Sequence, residues 1–274
     1  MNDEYITLKS KLSSNDKQRI KQLRIPPNWT SVKISKDPTS KVQATGIDAK
    51  DRMQYIYHPV WVLFSKDSKY SKVNSLNFKK VTSVLNKYKT QNTPSYNKNF
   101  VIANMLILMK DLNIRAGNEK YLKENNSVGL CTLNKTHYHN KNGAVLKFIG
   151  KKGVLHEKTL RSNHIQFIEM MLKLPGKLLF QYKSENKSEK IFKKITPEDL
   201  NNFLKEHVDE NMSTKDIRTY QANEIFKTEY AKLLKAGNTT KKARIEATKK
   251  TALELGNTPF VCRKSYIDPA LYEE

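Results

Sequence analysis

Five residues in this chain have the types and local settings that phosphoryl chemistry needs. Arg115 lies in NIRAGNEKY, directly after an apolar stretch, where Gly117 lets the chain turn and leaves the guanidinium at a helix end. Lys151 projects from the tight turn Gly150-Lys151-Lys152-Gly153. Arg218 stands in KDIRTYQAN, three residues after Lys215 and therefore on the same helical face. Asn257 occupies LGNTP, and Tyr266 follows it by nine residues in CRKSY. A tyrosine hydroxyl, with a pKa near ~10, can attack a phosphodiester if the charge developing on the phosphoryl oxygens is neutralised. Two arginines can neutralise it through paired hydrogen bonds, without a metal. The departing 5′-oxygen then needs a proton, which a lysine at a hairpin tip can supply. The product is a phosphotyrosyl enzyme, which retains the energy of the broken bond and permits religation without ATP. Taken singly, each residue also fits a plainer role: arginines on solvated faces, a turn lysine, a helix-capping Asn, a packing tyrosine.

Other chemistries have less support. The chain has no Walker lysine loop, no dinucleotide glycine fingerprint and no HExxH. His137-x-His139 could meet a metal from one face of a strand, but no carboxylate or thiolate is paired with it in sequence, and the pair reads as sheet-surface histidines. Carboxylates are sparse and mostly sit beside lysines, which argues against a two-metal nuclease. Cys131 and Cys262 are too few for a disulfide framework or a thiolate metal site, so a reducing compartment is the default. No cofactor and no metal are expected.

The charge balance points to the substrate class. Among 274 residues, 50 Lys+Arg against 27 Asp+Glu leave a formal charge of +23, spread from end to end. Each phosphate neutralised by Lys or Arg releases condensed counterions, so nucleic acid is the first candidate partner. A surface kept soluble by like charge is the plainer reading. An anionic membrane has less support, since no lysine-rich amphipathic helix flanks an apolar anchor and Phe100 to Met109, the most apolar stretch, is too short to span. The start, MNDEYITLKSKL, has no apolar signal core.

The elements that must position these residues are legible in outline. From Arg24 to about Ser75 the chain is rich in β-branched and aromatic residues broken by turn residues, which predicts short strands: Val32–Ile34, Lys41–Ala44 and Gln54–His58, with a turn at Gly46-Ile47-Asp48. Phe78–Tyr88 and Phe100–Leu112 carry helical apolar spacing, and a domain boundary is expected near residue 75. Thr136–Asn140, Ala144–Ile149 and Val154–Leu160, joined by Lys141-Asn142-Gly143 and by the turn carrying Lys151, predict a three-stranded sheet. Further helices are expected at Asn163–Leu174, at Pro197–Val208 after Thr196, from Ser213 to about Lys235, at Thr239–Leu255, and from Pro259. Ser184–Lys194 reads as a surface loop. The fold class is therefore α+β: a small antiparallel β-rich N-terminal domain, residues 1–75, and a larger mainly helical domain with a three-stranded sheet, residues 76–274.

Six ordered motifs carry a family resemblance: LRIPPNWTSVKI, VQATGIDAKDRMQYIYHPVW, RAGNEKYLKENNSVGLCTL, FIGKKGVLHEKTL, KDIRTYQAN and LGNTPFVCRKSY. Together the chain resembles the compact type IB DNA topoisomerases of poxviruses, giant viruses and some bacteria. The resemblance implies that Tyr266 is the nucleophile joined to a DNA 3′-phosphate, that Arg115 and Arg218 clamp the phosphate, and that Lys151, directly after the glycine of F-x-G-K, is the general acid, with Arg115 sharing that task. Lys152 is the neighbour that a one-residue register error would select. The poxvirus pattern has histidine in LGHTP where this chain has Asn257, as in the bacterial and giant-virus branch; an amide donates one hydrogen bond but cannot become cationic. In the N-terminal module, Gln54, Tyr55 and Tyr57 match major-groove contacts, and Arg52 and Tyr121 match further DNA contacts. Tyr55 and Tyr57 share one face of a strand, which could simply be core; the resemblance favours DNA contact.

The resemblance implies a monomer that closes a C-shaped clamp on duplex DNA, nicks one strand, permits rotation and reseals; it is expected inside the cell with its DNA, or in the virion or viral factory if it is viral. Two alternatives are a tyrosine recombinase, which shares the phosphoryl chemistry but usually has histidine at the position of Lys215, and a non-catalytic basic DNA-binding protein.

Overall fold

The structure is a computed structural model that describes residues 5–7, 12–89, 96–141, 143–184 and 191–272. The chain divides into two compact units, Met1–Lys72 and Val73–Glu274. Its class is mixed α and β, with an antiparallel sheet first and mainly helices after it.

In the first unit four strands pair antiparallel in chain order: β1 (Tyr5–Ile6), β2 (Thr30–Ser35), β3 (Val42–Ile47) and β4 (Met53–Tyr57). Ile34 and Ala44 lie directly opposite each other and are fully buried. Helix α1 (Ser14–Leu23), not foreseen from sequence, starts where the Ser13 hydroxyl accepts the Asp16 N–H. Its Arg19 reaches the sheet, donating to Gln43 Oε1 at 3.0 Å and to the Ser35 carbonyl at 2.7 Å.

Two sequence expectations fail in this unit. Gly46 and Ile47 are not a turn; they pair with Gln54 and Met53 inside the β3–β4 ladder, and the turn is Asp48–Arg52, closed by Asp48 N–H to the Arg52 carbonyl. Gly46 is needed for space instead, since a Cβ there would lie 2.7 Å from Cε3 of Trp29. The aromatic run after Tyr57 is not strand either. It forms helix α2 (Pro59–Ser75), because Pro59 cannot donate to a ladder but fits a helix's first turn, and the Val62 N–H closes that turn on the His58 carbonyl.

The second unit contains α3 (Phe78–Lys89), α4 (Lys98–Leu112), α5 (Glu119–Asn125), a sheet of β5 (Tyr138–His139), β6 (Val145–Ile149) and β7 (Leu155–Thr159), α6 (Ser162–Leu172), a hairpin of β8 (Gln181–Lys183) and β9 (Phe192–Lys194), and then α7 (Pro197–His207), α8 (Thr214–Lys235), α9 (Thr240–Leu255) and α10 (Pro259–Ser265). Its centre is α4, buried on nearly every side from Phe100 to Met109, as a helix apolar all round must be. Thr196 caps α7 with Pro197 in the first turn, and Ser213 with Asp216 forms the capping box of α8.

Here β5 is shorter than expected, since Lys135–His137 forms a 3-10 turn before it. Asn142 of the expected Asn-Gly turn lies outside the described residues, as do 185–190 of the expected surface loop. The end of that loop is not irregular, because Phe192 pairs with Lys183 in β9. Helix α5 was also unforeseen, being almost wholly polar; Asn118 accepts the Tyr121 N–H to start it, and Asn126 in the left-handed region ends it. Among the described residues, no helix is long and apolar enough to cross a membrane.

Candidate active site

Arg115 is placed by the loop that leaves α4. Asn113 ends that helix in the left-handed region, at φ 55°. The Arg115 carbonyl then accepts the Leu130 N–H and the Ala116 carbonyl accepts the Cys131 N–H, both at 2.8 Å, so the loop runs as a paired strip beside residues 129–131. Gly117, at φ 73°, packs against Gly129 so closely that a Cβ on either would lie within 2.6 Å of the other's backbone.

Arg218 sits in the first turns of α8 and is 4% exposed, whereas Lys215 on the same helix is exposed. Its guanidinium donates to the Asn113 carbonyl and to the Leu255 carbonyl, the latter at 3.0 Å, joining the ends of α4 and α9. Those carbonyls are orphans of helix C-termini, where a cation is also favoured by the dipole. Burial first, and then the Arg115 charge, push the Arg218 pKa down to about 10, so it stays cationic at neutral pH.

Asn257 follows Gly256, whose left-handed backbone closes α9, and Thr258 then caps α10 with Pro259 behind it. The Asn257 Oδ1 accepts from Arg115 across 2.5 Å. Tyr266 ends α10 and is half-buried. A small apolar cluster of Phe226, Ala247, Ala252, Cys262 and Ile267 holds α8, α9 and α10 together around it. Its ring centroid lies 5.4 Å from the Arg218 guanidinium carbon, and its hydroxyl lies in the field of both Arg218 and Arg115. Burial alone would raise the Tyr266 pKa; the charges of Arg218 and Arg115 outweigh it and bring it below the ordinary tyrosine value.

Four of the five expected residues, Arg115, Arg218, Asn257 and Tyr266, thus meet from four separate segments. Two buried donors in this group, Arg218 Nε and Asn257 Nδ2, have no partner among the described residues. A buried donor left unpaired costs about 1–3 kcal/mol. An anion such as a phosphate would remove that cost and match the positive field. Lys151 is on the exposed turn between β6 and β7, and its side chain makes no hydrogen bond or ion pair among the described residues.

The expected DNA contacts are surface residues. Tyr55 and Tyr57 are 51% and 40% exposed and stack with centroids 6.1 Å apart, so the core reading of that strand face fails. Arg52 forks onto Asp48 through Nε at 3.0 Å and Nη2 at 2.7 Å, and Gln54 donates to the same carboxylate at 2.8 Å. Those bonds, Arg52's first, hold the Asp48 carboxyl well below the usual carboxylate range. Tyr121 on α5 is 55% exposed. His137 Nδ1 accepts the Asn134 N–H, and no group of three His, Cys, Asp or Glu suited to a metal exists among the described residues.

Two residues near the site were not foreseen. Asn223, five residues after Arg218 on α8, donates to the Tyr266 carbonyl at 3.3 Å and accepts the Asp268 N–H at 2.8 Å, gripping the backbone on both sides of Ile267. His156 on β7 is 7% exposed and lies in the field of Lys158, Arg115 and Arg218. Its one sequence signal is the alternation Leu155 out, His156 in; Asn223 has only its place on the helix of Arg218.

A family model described as the catalytic core of eukaryotic DNA topoisomerase I matches residues 64–270, and one described as the N-terminal domain of bacterial DNA topoisomerase IB matches residues 5–48. DNA topoisomerase 1B of Acanthamoeba polyphaga mimivirus is 36% identical over 96% of this chain and 81% of that protein. DNA topoisomerase 1 of rabbit fibroma virus is 27% identical over 99% of this chain and 85% of its own length, and the vaccinia virus (strain Copenhagen) DNA topoisomerase 1B is 26% identical over 93% and 80%. With matches that run through both units and across 80% or more of each of these relatives, the chain belongs to the type IB DNA topoisomerase family.

Proposed function

We propose that this enzyme relaxes supercoiled duplex DNA by cutting and resealing one strand through Tyr266, without ATP or a metal. The Tyr266 oxygen attacks the scissile phosphorus, its proton passing to solvent, and the bond from phosphorus to the 5′-oxygen breaks. The 3′-phosphate is left on the tyrosine, and the 5′-oxygen takes a proton from Lys151, with Arg115 assisting. Religation is the reverse. Arg115 and Arg218 neutralise the phosphoryl oxygens, and the Asn257 amide donates to one of them. Arg52, Gln54, Tyr55, Tyr57 and Tyr121 hold the duplex, the N-terminal unit (residues 1–72 of the structural division, where the sequence suggested 1–75) serving as the DNA-embracing module and the rest as the catalytic module. The protein acts as a monomer, in whichever compartment holds its DNA.

The single observation that supports this most is the convergence of two guanidinium charges on one tyrosine, Arg218 lying 5.4 Å from its ring, beside two buried donors that have no partner among the described residues. The test is plasmid relaxation in EDTA without nucleotide, with denaturant-quenched reactions run on a gel to detect protein joined to DNA. Tyr266→Phe must lose both relaxation and adduct while still binding DNA; a Tyr266→Phe protein that relaxes plasmids overturns the proposal. Strand exchange between paired sites without relaxation would favour a recombinase, and binding without any adduct an architectural protein.

A further inference from the structure

Lys151 poses a positioning problem. A general acid must be within about 3 Å of the atom it protonates, and a misplacement of ~1 Å can cost ~100-fold in rate. Yet no side-chain bond among the described residues fixes Lys151. It can be aimed only through the backbone of its turn, which is closed on itself by Gly150 N–H to the Val154 carbonyl at 2.8 Å and Gly153 N–H to the Gly150 carbonyl at 3.2 Å.

That turn rests on one ring. His156 lies directly opposite Phe148 across the β6–β7 ladder and stacks on it, centroids 5.1 Å apart and planes 17° from parallel. The edge of the imidazole lies against Gly150, where an added Cβ would be 2.6 Å from Cδ2 and 2.7 Å from Nε2. The same ring meets Gly256: a Cβ there would fall on Cε1 and lie 3.0 Å from Nε2 and 3.1 Å from Nδ1. Gly150 immediately precedes Lys151, and Gly256 immediately precedes Asn257. The Gly256 side is itself held, because Lys158 of the same strand donates to the Glu254 carbonyl at 2.9 Å and Arg218 donates to the Leu255 carbonyl at 3.0 Å.

We infer that His156 is a positioning residue whose ring, wedged between Gly150 and Gly256, sets where Lys151 and Asn257 stand relative to each other; this rests on the reading of both as parts of the strand-cleaving site. The ring acts by its thickness. Burial first, then the charges of Lys158, Arg115 and Arg218, push its pKa down to about 4, so at neutral pH it adds no charge to the site. The two glycines are the matching half of the device, since any Cβ at either position would displace the ring.

The experiment compares single-turnover cleavage of ordinary DNA with cleavage of DNA whose leaving 5′-oxygen is replaced by sulfur, which departs without a proton. His156→Ala is expected to lose at least tenfold more rate on the oxygen substrate than on the sulfur substrate. Gly150→Ala, whose backbone at φ −96° accepts a Cβ without left-handed strain, is expected to show the same split with the ring still present. Combining the two lets the new methyl occupy space the ring has left, so the double variant should cleave at least tenfold faster than the product of the single losses predicts. Equal losses on both substrates, or single effects that simply multiply, overturn the inference. If His156→Ala fails to fold, as thermal melting would show, Gly150→Ala alone decides by its oxygen-to-sulfur split. A wild-type protein that makes no Tyr266 adduct overturns the proposed function and this inference with it, whereas a normal adduct with no split overturns the inference alone.

Discussion

Arg115 donates to the carbonyl oxygen of the Asn257 side chain across 2.5 Å, which leaves the amide Nδ2 as the end of that residue free to bind another acceptor. Under the proposed function, asparagine would serve two neighbours at once, accepting from the cation and keeping a neutral donor for the phosphate. Asn257→Ala should lower single-turnover cleavage about 100-fold, the usual loss when one preorganised donor is removed from a charge-stabilising site. Asn257→Asp should be worse, because the carboxylate keeps the Arg115 contact but meets the phosphate with like charge. Asn257→His should instead bring a new inflection into the pH–rate profile as the imidazole gains and loses its charge. A profile for Asn257→His that overlays the wild type would exclude contact between this position and the reacting phosphate.

The two arginines should separate when activity and stability are measured together. Arg218 is buried and holds carbonyls at the ends of α4 and α9, so Arg218→Ala leaves both without it, at about 1–3 kcal/mol each, besides removing a cation from the site. Arg115 is only half-buried; its side chain donates to Asn257, and its charge helps lower the Tyr266 pKa. Both variants should lose cleavage by 100-fold or more, but only Arg218→Ala should also melt several degrees lower. Equal melting temperatures would show that Arg218 has no structural share.

Acid should destabilise the fold through His156. With a folded pKa of about 4 against 6.5 when unfolded, the unfolded chain binds this proton first as the pH falls. Stability is therefore complete above about 6.5 and is lost progressively between 6.5 and 4, by no more than about 3 kcal/mol. The groups that oppose the charge are Lys158 on the same strand, Arg115 in the loop after α4 and Arg218 on α8. The lowered carboxylates, Asp111 and Asp199 among them, act in a lower window, below about 4. Urea midpoints measured between pH 4 and 7.5 should fall on the acid side in the wild type, and that fall should be much smaller in His156→Ala.

How far the sequence reaches is clearest at particular residues. The helices around the site are legible because their ends are chemical signals: Thr196 before Pro197, Ser213 with Asp216, Gly256 after Leu255. Arg115, Arg218, Asn257 and Tyr266 can be named from motifs, yet nothing in their spacing says that Arg115 touches Asn257, 142 positions away. Helix α2 reads as strand because its run is aromatic and β-branched, but such residues prefer strands only weakly, and Pro59 decides the matter. Gly46 reads as a turn because a glycine required by the ring of Trp29 looks, in sequence, like one required by φ. His156 escapes notice for the related reason that its partners are two glycines, which advertise no contact of their own.

Lys151 and Lys152 are adjacent, and their backbones distinguish them. Lys152 lies in the left-handed region at φ 64°, while Lys151 directly follows Gly150 and the ring beneath it. Lys151→Ala should slow cleavage of ordinary DNA by 100-fold to 10,000-fold, the range for losing a general acid, with partial recovery on the sulfur substrate. Both side chains are exposed, so neither alanine variant should change stability by more than about 0.5 kcal/mol. Lys152→Ala should cleave within about threefold of the wild type. If the two swap places in this assay, the acid is Lys152 and the register of the F-x-G-K motif is off by one.

The exposed tyrosine pair on β4 should matter for holding DNA and not for cutting it. Tyr55 and Tyr57 stack on each other at the surface beside Gln54 and Arg52, both tied to Asp48. A flat apolar pair among donors suits groove edges and sugar faces, and it carries no charge, whereas Arg52 does. Binding of the full chain to a duplex should fall steeply with salt, given the +23 charge, with a log–log slope near one unit per phosphate neutralised. Tyr55→Ala with Tyr57→Ala should weaken that binding about tenfold or more and leave the slope as it is, because no cation is removed. Arg52→Ala should reduce the slope by about one unit if Arg52 meets a phosphate and leave it unchanged if Asp48 keeps it. Saturating DNA should restore the cleavage rate of the double tyrosine variant; a rate that stays low at saturation would place these rings in the assembly of the catalytic site instead.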